Sequence, residues 1–329
     1  MTRLFRWGRW LPVIALLLTG FLAGSASARR ETKAKVQQHD SAQSQLVEQV
    51  LSVIKQNYVD SLGDADLARL AAEGIVSRLK DPYSALLDQR GYERSSRPSV
   101  QPASTTVRVL ADSIALVSIP SVSKGSADAL RAAITGLRAT GLRGLVLDLR
   151  GNPGGLVAEG VAIAGLFLDQ DLPIGRLEGH RYSQRFVARE NQQWPDLPLV
   201  VLVDKRTASA AELIAGTLQE HDRAAIVGSR TFGNGLAQTP FTLKDGLVLK
   251  LTTARWVTAR GRVLDANPAN VGTYTSDSGR LLRDARGVSP DFEFPDANPE
   301  AALDAAIRML QNSRSVTDLF TQQTELSAK

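Results

Sequence analysis

Two short segments constrain the fold more than anything else in this chain. Residues 144–149 are apolar at every position except Asp148, and residues 199–203 are apolar throughout. A strand with one wet face alternates apolar and polar residues. An unbroken apolar run reads instead as a strand buried on both faces, as in a parallel sheet covered by helices on both sides. The surrounding chain follows the same β/α grammar. Residues 106–110 and 114–119 read as a hairpin turning at Ala111-Asp112. Ala127, Leu130, Ile134 and Leu137 mark a helix, and residues 156–168 a second one rich in small residues. Residues 176–187 read as a hairpin around Gly179, 210–219 as a helix, and 225–227 and 247–253 as strands. Residues 265–285 read as an irregular insertion and 299–310 as a closing helix. The fold class expected is α/β, with its core over residues 106–310 and a polar, frayed tail over 311–329.

The segment before the core has a different pattern. Leu46, Val50, Ile54 and Tyr58 recur every four residues, and Leu67, Leu70, Ile75 and Leu79 suggest a second helix stopped at Asp81-Pro82. This gives a helical region over 29–90 and a polar linker over 91–105. Residues 1–28 carry Arg3, Arg6 and Arg9, a short apolar run over 11–24 and the small-residue stretch Ser25-Ala26-Ser27-Ala28. That is the layout of a cleaved secretory signal, and the run is short for a membrane span of about 20 residues. Membrane association enters only through an uncleaved N-terminus. The chain has no cysteine, so no disulfide framework exists. Export without cysteine fits a bacterial periplasm or cell envelope. The formal net charge of +5 includes the three arginines of that leader; without them +2 remains, no basis for nucleic-acid binding.

Three stretches carry candidate chemistry. Asp148-Leu149-Arg150-Gly151-Asn152-Pro153-Gly154-Gly155 follows a buried strand and precedes a helix. Such a loop exposes backbone N–H groups able to hold an anion, including a reaction's oxyanion; it is equally a tight turn with an Asp148–Arg150 ion pair. Ser209 opens the helix after the second buried strand, in the position of a nucleophile on an elbow or of an ordinary helix cap. Thr231-Phe232-Gly233-Asn234-Gly235 is the third stretch, and Asn234-Gly235 is also a favoured turn. The histidines, His39, His180 and His221, have no paired-ligand spacing, so no metal site is expected. None is a convincing base for Ser209, and a Lys, Asp or Glu would have to serve. Lys205 and Lys250 are lysines nearby in sequence.

In combination and order these stretches resemble the C-terminal processing (tail-specific) serine peptidases. Thr207-Ala208-Ser209-Ala210-Ala211-Glu212-Leu213, Gln238, Leu251-Thr252-Thr253-Ala254-Arg255-Trp256, Gly261-Arg262 and Gly287-Val288-Ser289-Pro290-Asp291 add to the match, as do Asn57-Tyr58-Val59-Asp60 and Leu79-Lys80-Asp81-Pro82-Tyr83-Ser84 in the helical region. The resemblance covers most of 45–295. It implies a crotonase/ClpP-like α/β core and a Ser-Lys dyad without cofactor or metal. The family's nucleophile falls on Ser209, its oxyanion donors on the N–H groups of Ala210 and Gly155, and its assisting glutamine on Gln238. Its general-base lysine falls on Asn234.

That last position departs from the family. A buried lysine serves as base because its pKa falls until the neutral amine accepts the serine proton. A carboxamide orients a hydroxyl but has no comparable basicity. A second departure is length. About 20 residues separate Leu87 from Val107, too few for the PDZ domain that the family usually carries there. The resemblance therefore implies one of two proteins. One is an exported serine peptidase with weak or conditional hydrolysis through Ser209; the other is a pseudopeptidase that holds a polypeptide or an envelope protein partner in the old cleft.

Overall fold

The computed structural model describes residues 41–96, 104–265, 272–282, 286–313 and 315–321. The expected leader lies outside the described residues, as do His39 and much of the expected linker. The chain divides into two compact units, residues 1–80 and 81–329.

The first unit contains helices α1 (Ser41–Asn57) and α2 (Asp64–Arg78). Asp64 and Asp66 sit in the first turn of α2 and Arg78 in its last, each complementing the helix dipole. Among the described residues of this unit, Leu67 alone of the apolar side chains is buried, while Leu46, Val50 and Ile75 are exposed.

The second unit holds two sheets. In the larger, strands β2 (Thr106–Val109), β3 (Ile114–Ser118), β4 (Gly144–Asp148), β7 (Leu199–Val203), β8 (Ala225–Gly228) and β13 (Phe292–Glu293) run in the order β13-β8-β7-β4-β3-β2. All pairs are parallel except β2–β3. Alternate side chains of β4 and β7 point into two separate cores. Leu145, Leu147, Leu199 and Val201 join α4 (Ser126–Ala139), α5 (Val157–Gly165) and α6 (Ala210–Glu220) on one face. Val146, Val200 and Leu202 join α7 (Pro299–Asn312) on the other. Two buried faces explain why these strands show no polar alternation. Helix α6 is buried at all eleven positions. Its far end is held by a fully buried Arg262–Glu220 ion pair at 3.1 Å, with both Arg262 amino groups also on Gln219 Oε1.

The second sheet is antiparallel and centres on β10 (Leu247–Thr258). It pairs β9 (Leu236–Thr242) along 248–255, and β1 (Ala85–Asp88) and β5 (Pro173–Gly179) along 247–250 and 254–258. Strand β6 (Ser183–Val187) pairs β5.

Several expectations need correction. The expected helical region over 29–90 also contains strand β1, and the linker over 91–105 is not plain, because Gln89–Ser96 forms α3; the Asp88 carboxylate accepts the Gly91 N–H and caps its start. The insertion carries a two-stranded hairpin, β11 (Tyr274–Thr275) with β12 (Leu281–Leu282). The tail is not frayed throughout: Val316–Thr321 forms α8, whose Leu319 is fully buried in the second core. Strand β9 has no counterpart in the sequence reading.

Candidate active site

The site lies where loops leave the carboxyl ends of β3, β4, β7 and β8, the usual place for a ligand in an open parallel sheet. Ser209 ends the loop after β7 and precedes α6, with φ 54° and ψ −119°. A positive φ is costly for a residue with a side chain, and such strain persists only where neighbours over-determine it. They do so here. The Ala208 N–H donates to the Asn152 carbonyl at 2.9 Å. Asn152, fully buried, donates from its amide to the Ile119 carbonyl at 2.7 Å and accepts the Gly154 N–H at 2.8 Å. Thr207 adds a hydroxyl bond to the Leu149 carbonyl at 2.9 Å. The loops after β3, β4 and β7 are thereby locked together around the serine.

Two glycines make the close approach possible. A Cβ on Gly154 would lie 2.7 Å from Ser209 Cβ, and one on Gly155 only 2.0 Å from the Val122 carbonyl oxygen; both glycines have positive φ. The Gly154 N–H is committed to Asn152. Among the described residues, the N–H groups of Gly155 and Ala210 donate no hydrogen bond within the chain. Two unspent backbone donors flanking a strained serine are what an oxyanion requires. The Asp148–Arg150 ion pair also exists, with contacts of 2.7 and 2.8 Å, so the loop carries both features that its sequence allows.

The other half of the site hangs on Glu212, a residue whose role sequence reasoning missed. Its carboxylate, fully buried in the first turn of α6, accepts four donors. These are the N–H groups of Ser209 (2.9 Å), Gly233 (2.7 Å) and Asn234 (2.8 Å), and the Thr231 hydroxyl (2.5 Å). One side chain thus ties the nucleophile elbow to the Asn234 loop. Burial pushes its carboxyl above the ordinary range, although the Thr231 hydroxyl and the three N–H groups pull the other way. The spacing Ser209-Ala210-Ala211-Glu212 is that of a capping box, and this signal could have found it.

Asn234 and Ser209 line one cavity with Val157, Leu177, Leu213 and Trp256. Its volume of about 20 Å³ holds roughly one water. The Asn234 side-chain oxygen faces its own loop, accepting the Leu236 N–H at 3.3 Å. No hydrogen bond joins it to Ser209 among the described residues. Neither lysine lines this cavity: Lys205 pairs with Asp296 at 3.4 Å, and Lys250 sits on β10 between Ala85 and Pro240. Gln238 lies on β9 opposite Thr252. Its Nε2 and the Trp256 indole N–H are buried without a partner among the described residues. His221 caps the far end of α6, with its ring nitrogens 2.8 Å from Asp277 Oδ2 and 2.7 Å from the Pro173 carbonyl. Twelve residues of helix put it about 18 Å from Ser209. His180 is exposed beside the β5–β6 turn.

Comparison with known proteins agrees with this geometry. The model of peptidase family S41 matches residues 113–294, more than half of the sequence. The chain belongs to this family of serine-type peptidases, and its α/β unit is the expected crotonase/ClpP-like core. The N-terminal domain of the activating protease CtpB matches residues 19–91. The carboxy-terminal processing protease CtpA of Bacillus subtilis (strain 168) is 39% identical over 150 residues, 46% of this chain and 32% of that protein. A carboxyl-terminal-processing protease of Picosynechococcus is 46% identical over 113 residues, 34% of this chain and 27% of that protein. The chain thus spans about a third of the length of the curated relatives it matches. Among solved structures, a lipoprotein from Streptococcus agalactiae shares the fold at TM-score 0.53 and 18% identity, covering 80% of this chain and 88% of that one. The photosystem II D1 C-terminal processing protease aligns at TM-score 0.49 and 28% identity, covering 72% and 61%.

Proposed function

We propose that this is an exported serine peptidase-like protein of the bacterial envelope that binds an extended polypeptide across Ser209 and cleaves it slowly or conditionally. The observation that carries the reading is the pair of uncommitted N–H groups, of Ala210 and Gly155, beside a serine held on a strained elbow. In this reading the Ser209 oxygen attacks the peptide carbonyl and the two N–H groups take the developing negative charge. The amine leaves with a proton, and water then hydrolyses the ester. Gln238, with an amide nitrogen unspent in the protein, assists by holding substrate. Among the described residues no lysine lines the cavity at Ser209 to accept its proton, and Asn234 stands where the family has lysine. Losing one member of a nucleophile–base unit costs on the order of 10⁴–10⁶ in kcat. Export is supported by the basic, apolar and small-residue layout of residues 1–28.

A second reading, a pseudopeptidase that binds without turnover, is favoured by the direction of the Asn234 carbonyl, which faces Leu236. Labelling with a serine-reactive fluorophosphonate separates the two. Labelling of the wild type that is lost in Ser209→Ala, together with cleavage of an unstructured polypeptide, establishes the hydrolase. Labelling only in Asn234→Lys leaves the natural protein a binder.

A further inference from the structure

Strand β6 is a free edge of the antiparallel sheet. It pairs β5 on one side and no strand among the described residues on the other. Ala188, just past its end, spends both backbone groups toward the β5 side: its N–H donates to the Leu172 carbonyl at 2.9 Å, and its carbonyl accepts the Asp171 N–H at 3.0 Å. Residues bonded to the partner strand alternate with residues turned away from it along an antiparallel pair. Ser183, Arg185 and Val187 therefore turn their N–H and C=O groups to the unpaired side. Phe186 and Val187 also line a groove of about 360 Å³, with Ala158, Val161 and Ala162 of α5 and Leu166 just beyond it. Arg131, Arg189 and Glu190 add charge to this apolar lining. Arg131 reaches Glu190 at 3.4 Å and buries its Nε without a partner among the described residues.

The charge along this edge is of one sign. Residues 181–189 carry Arg181, Arg185 and Arg189 and no acid. All three arginines are exposed and pair with no carboxylate among the described residues. Arg185 stands across from Arg176 of β5. Charge on an edge strand selects what can join it. Arg185 is the midpoint of β6, so two copies joined edge to edge about a two-fold axis would set Arg185 against Arg185. Like charges directly opposed are destabilising, and an acidic strand meets the reverse case. We infer that the β6 edge and its groove bind an extended acidic polypeptide segment, which adds a strand to the sheet and seats an apolar side chain in the groove. The groove shares no lining residue with the cavity at Ser209, so the inference stands apart from the peptidase reading. A stretch of polypeptide is held here whether or not it is cut at the serine.

The test is fluorescence anisotropy of the full chain with an octapeptide that alternates Asp and Val, labelled at its N-terminus and amidated at its C-terminus. One control peptide carries Lys in place of Asp; the other is the acidic peptide with methylated backbone nitrogens, which cannot pair with a strand. The acidic peptide is expected to bind about tenfold tighter than either control, and less tightly as salt is added. Val187→Pro removes an N–H that the ladder to β5 does not use. It is expected to weaken binding about tenfold while the melting temperature holds. Ala162→Glu puts a carboxylate on an exposed position of the groove and is expected to weaken binding by a similar factor. Equal binding of the acidic peptide and either control overturns the inference, as does binding of none. Affinity untouched by both variants places the peptide elsewhere and overturns it too. If Val187→Pro does not fold, Ala162→Glu and the methylated peptide decide. A dimer of the wild type that Val187→Pro dissociates would give the edge to a second copy and equally remove the acidic segment.

Discussion

The two halves of the site are built to different standards. Around Ser209, the side chains of Asn152, Thr207 and Glu212 spend their polar groups on backbone groups of neighbouring loops, and among the described residues the N–H groups of Ala210 and Gly155 donate no hydrogen bond. Around Asn234 the backbone is equally well held by Glu212, but the side chains are not. The Asn234 carbonyl turns into its own loop, and Gln238 and Trp256 each bury a polar atom without a partner among the described residues. Buried polar atoms are rarely left unpaired, so each marks either a ligand's place or a lost neighbour. The contrast teaches that the backbone around Ser209 is fully braced and leaves two N–H groups undonated among the described residues, while the Asn234 side chain is turned into its own loop.

The comparison can be broken or sharpened by substitution. The largest expected effect is from Asn234→Lys. If only the amine is missing, the rate of Ser209 acylation by a fluorophosphonate rises by a factor on the order of 10⁴. An unchanged rate shows that the frame no longer places an amine at the serine. Next is Gly155→Ala, which drives a Cβ to 2.0 Å from the Val122 carbonyl and demands a strained φ of +143°. Loss of one oxyanion donor lowers acylation about 10²–10³-fold, and the melting temperature falls as well. A variant that acylates normally removes Gly155 from the oxyanion site.

Glu212→Gln addresses the link between the halves. An amide cannot accept four donors, so two of them face an NH₂ group, at about 1–3 kcal/mol each. Denaturant unfolding should show the loss, with acylation slowed in parallel. The pH dependence has a definite sign. Burial raises the carboxyl of Glu212, so its folded-state value lies above the usual 4.5. Its contribution to stability is complete below 4.5 and shrinks as pH rises through the raised value. The stability gap between wild type and Glu212→Gln therefore narrows from acid toward neutral pH, and a widening gap contradicts the account. The smallest effect is from Gln238→Leu, which removes a donor that already lacks a partner. Stability should change by no more than about 1 kcal/mol, so any drop in peptide affinity reports substrate contact directly.

How much of this was legible in the sequence follows from where the determinants lie. Strands β4 and β7 announced themselves because burial on both faces removes every ambiguity of period. The elbow serine and the glycine loop were visible as positions, and the structure brings Ser209, Ala210 and Asn234 to one cavity, with Gly154 packed against Ser209. Strand β9 stayed hidden because four of its seven residues, from Thr239 on, are exposed and its partner is supplied by β10. Helix α8 stayed hidden because a polar segment gains its stability from burying Leu319 in a core built far upstream. Glu212 was readable as half of a helix cap. Its second task, holding Gly233 and Asn234, depends on a contact 21 and 22 residues away that no local pattern encodes.

The order in which the molecule comes together bears on when the Ser209 elbow forms. The contacts that hold the elbow join residues 33 and 58 positions apart, Asn152 to Ile119 and Thr207 to Leu149. Neither pair can meet until β3, β4 and β7 have found one another, and pairings so distant in sequence are slow steps in folding. An emerging or partly folded chain therefore displays Ser209 as an unremarkable hydroxyl. The strained elbow at Ser209 thus arrives late, with completion of the sheet.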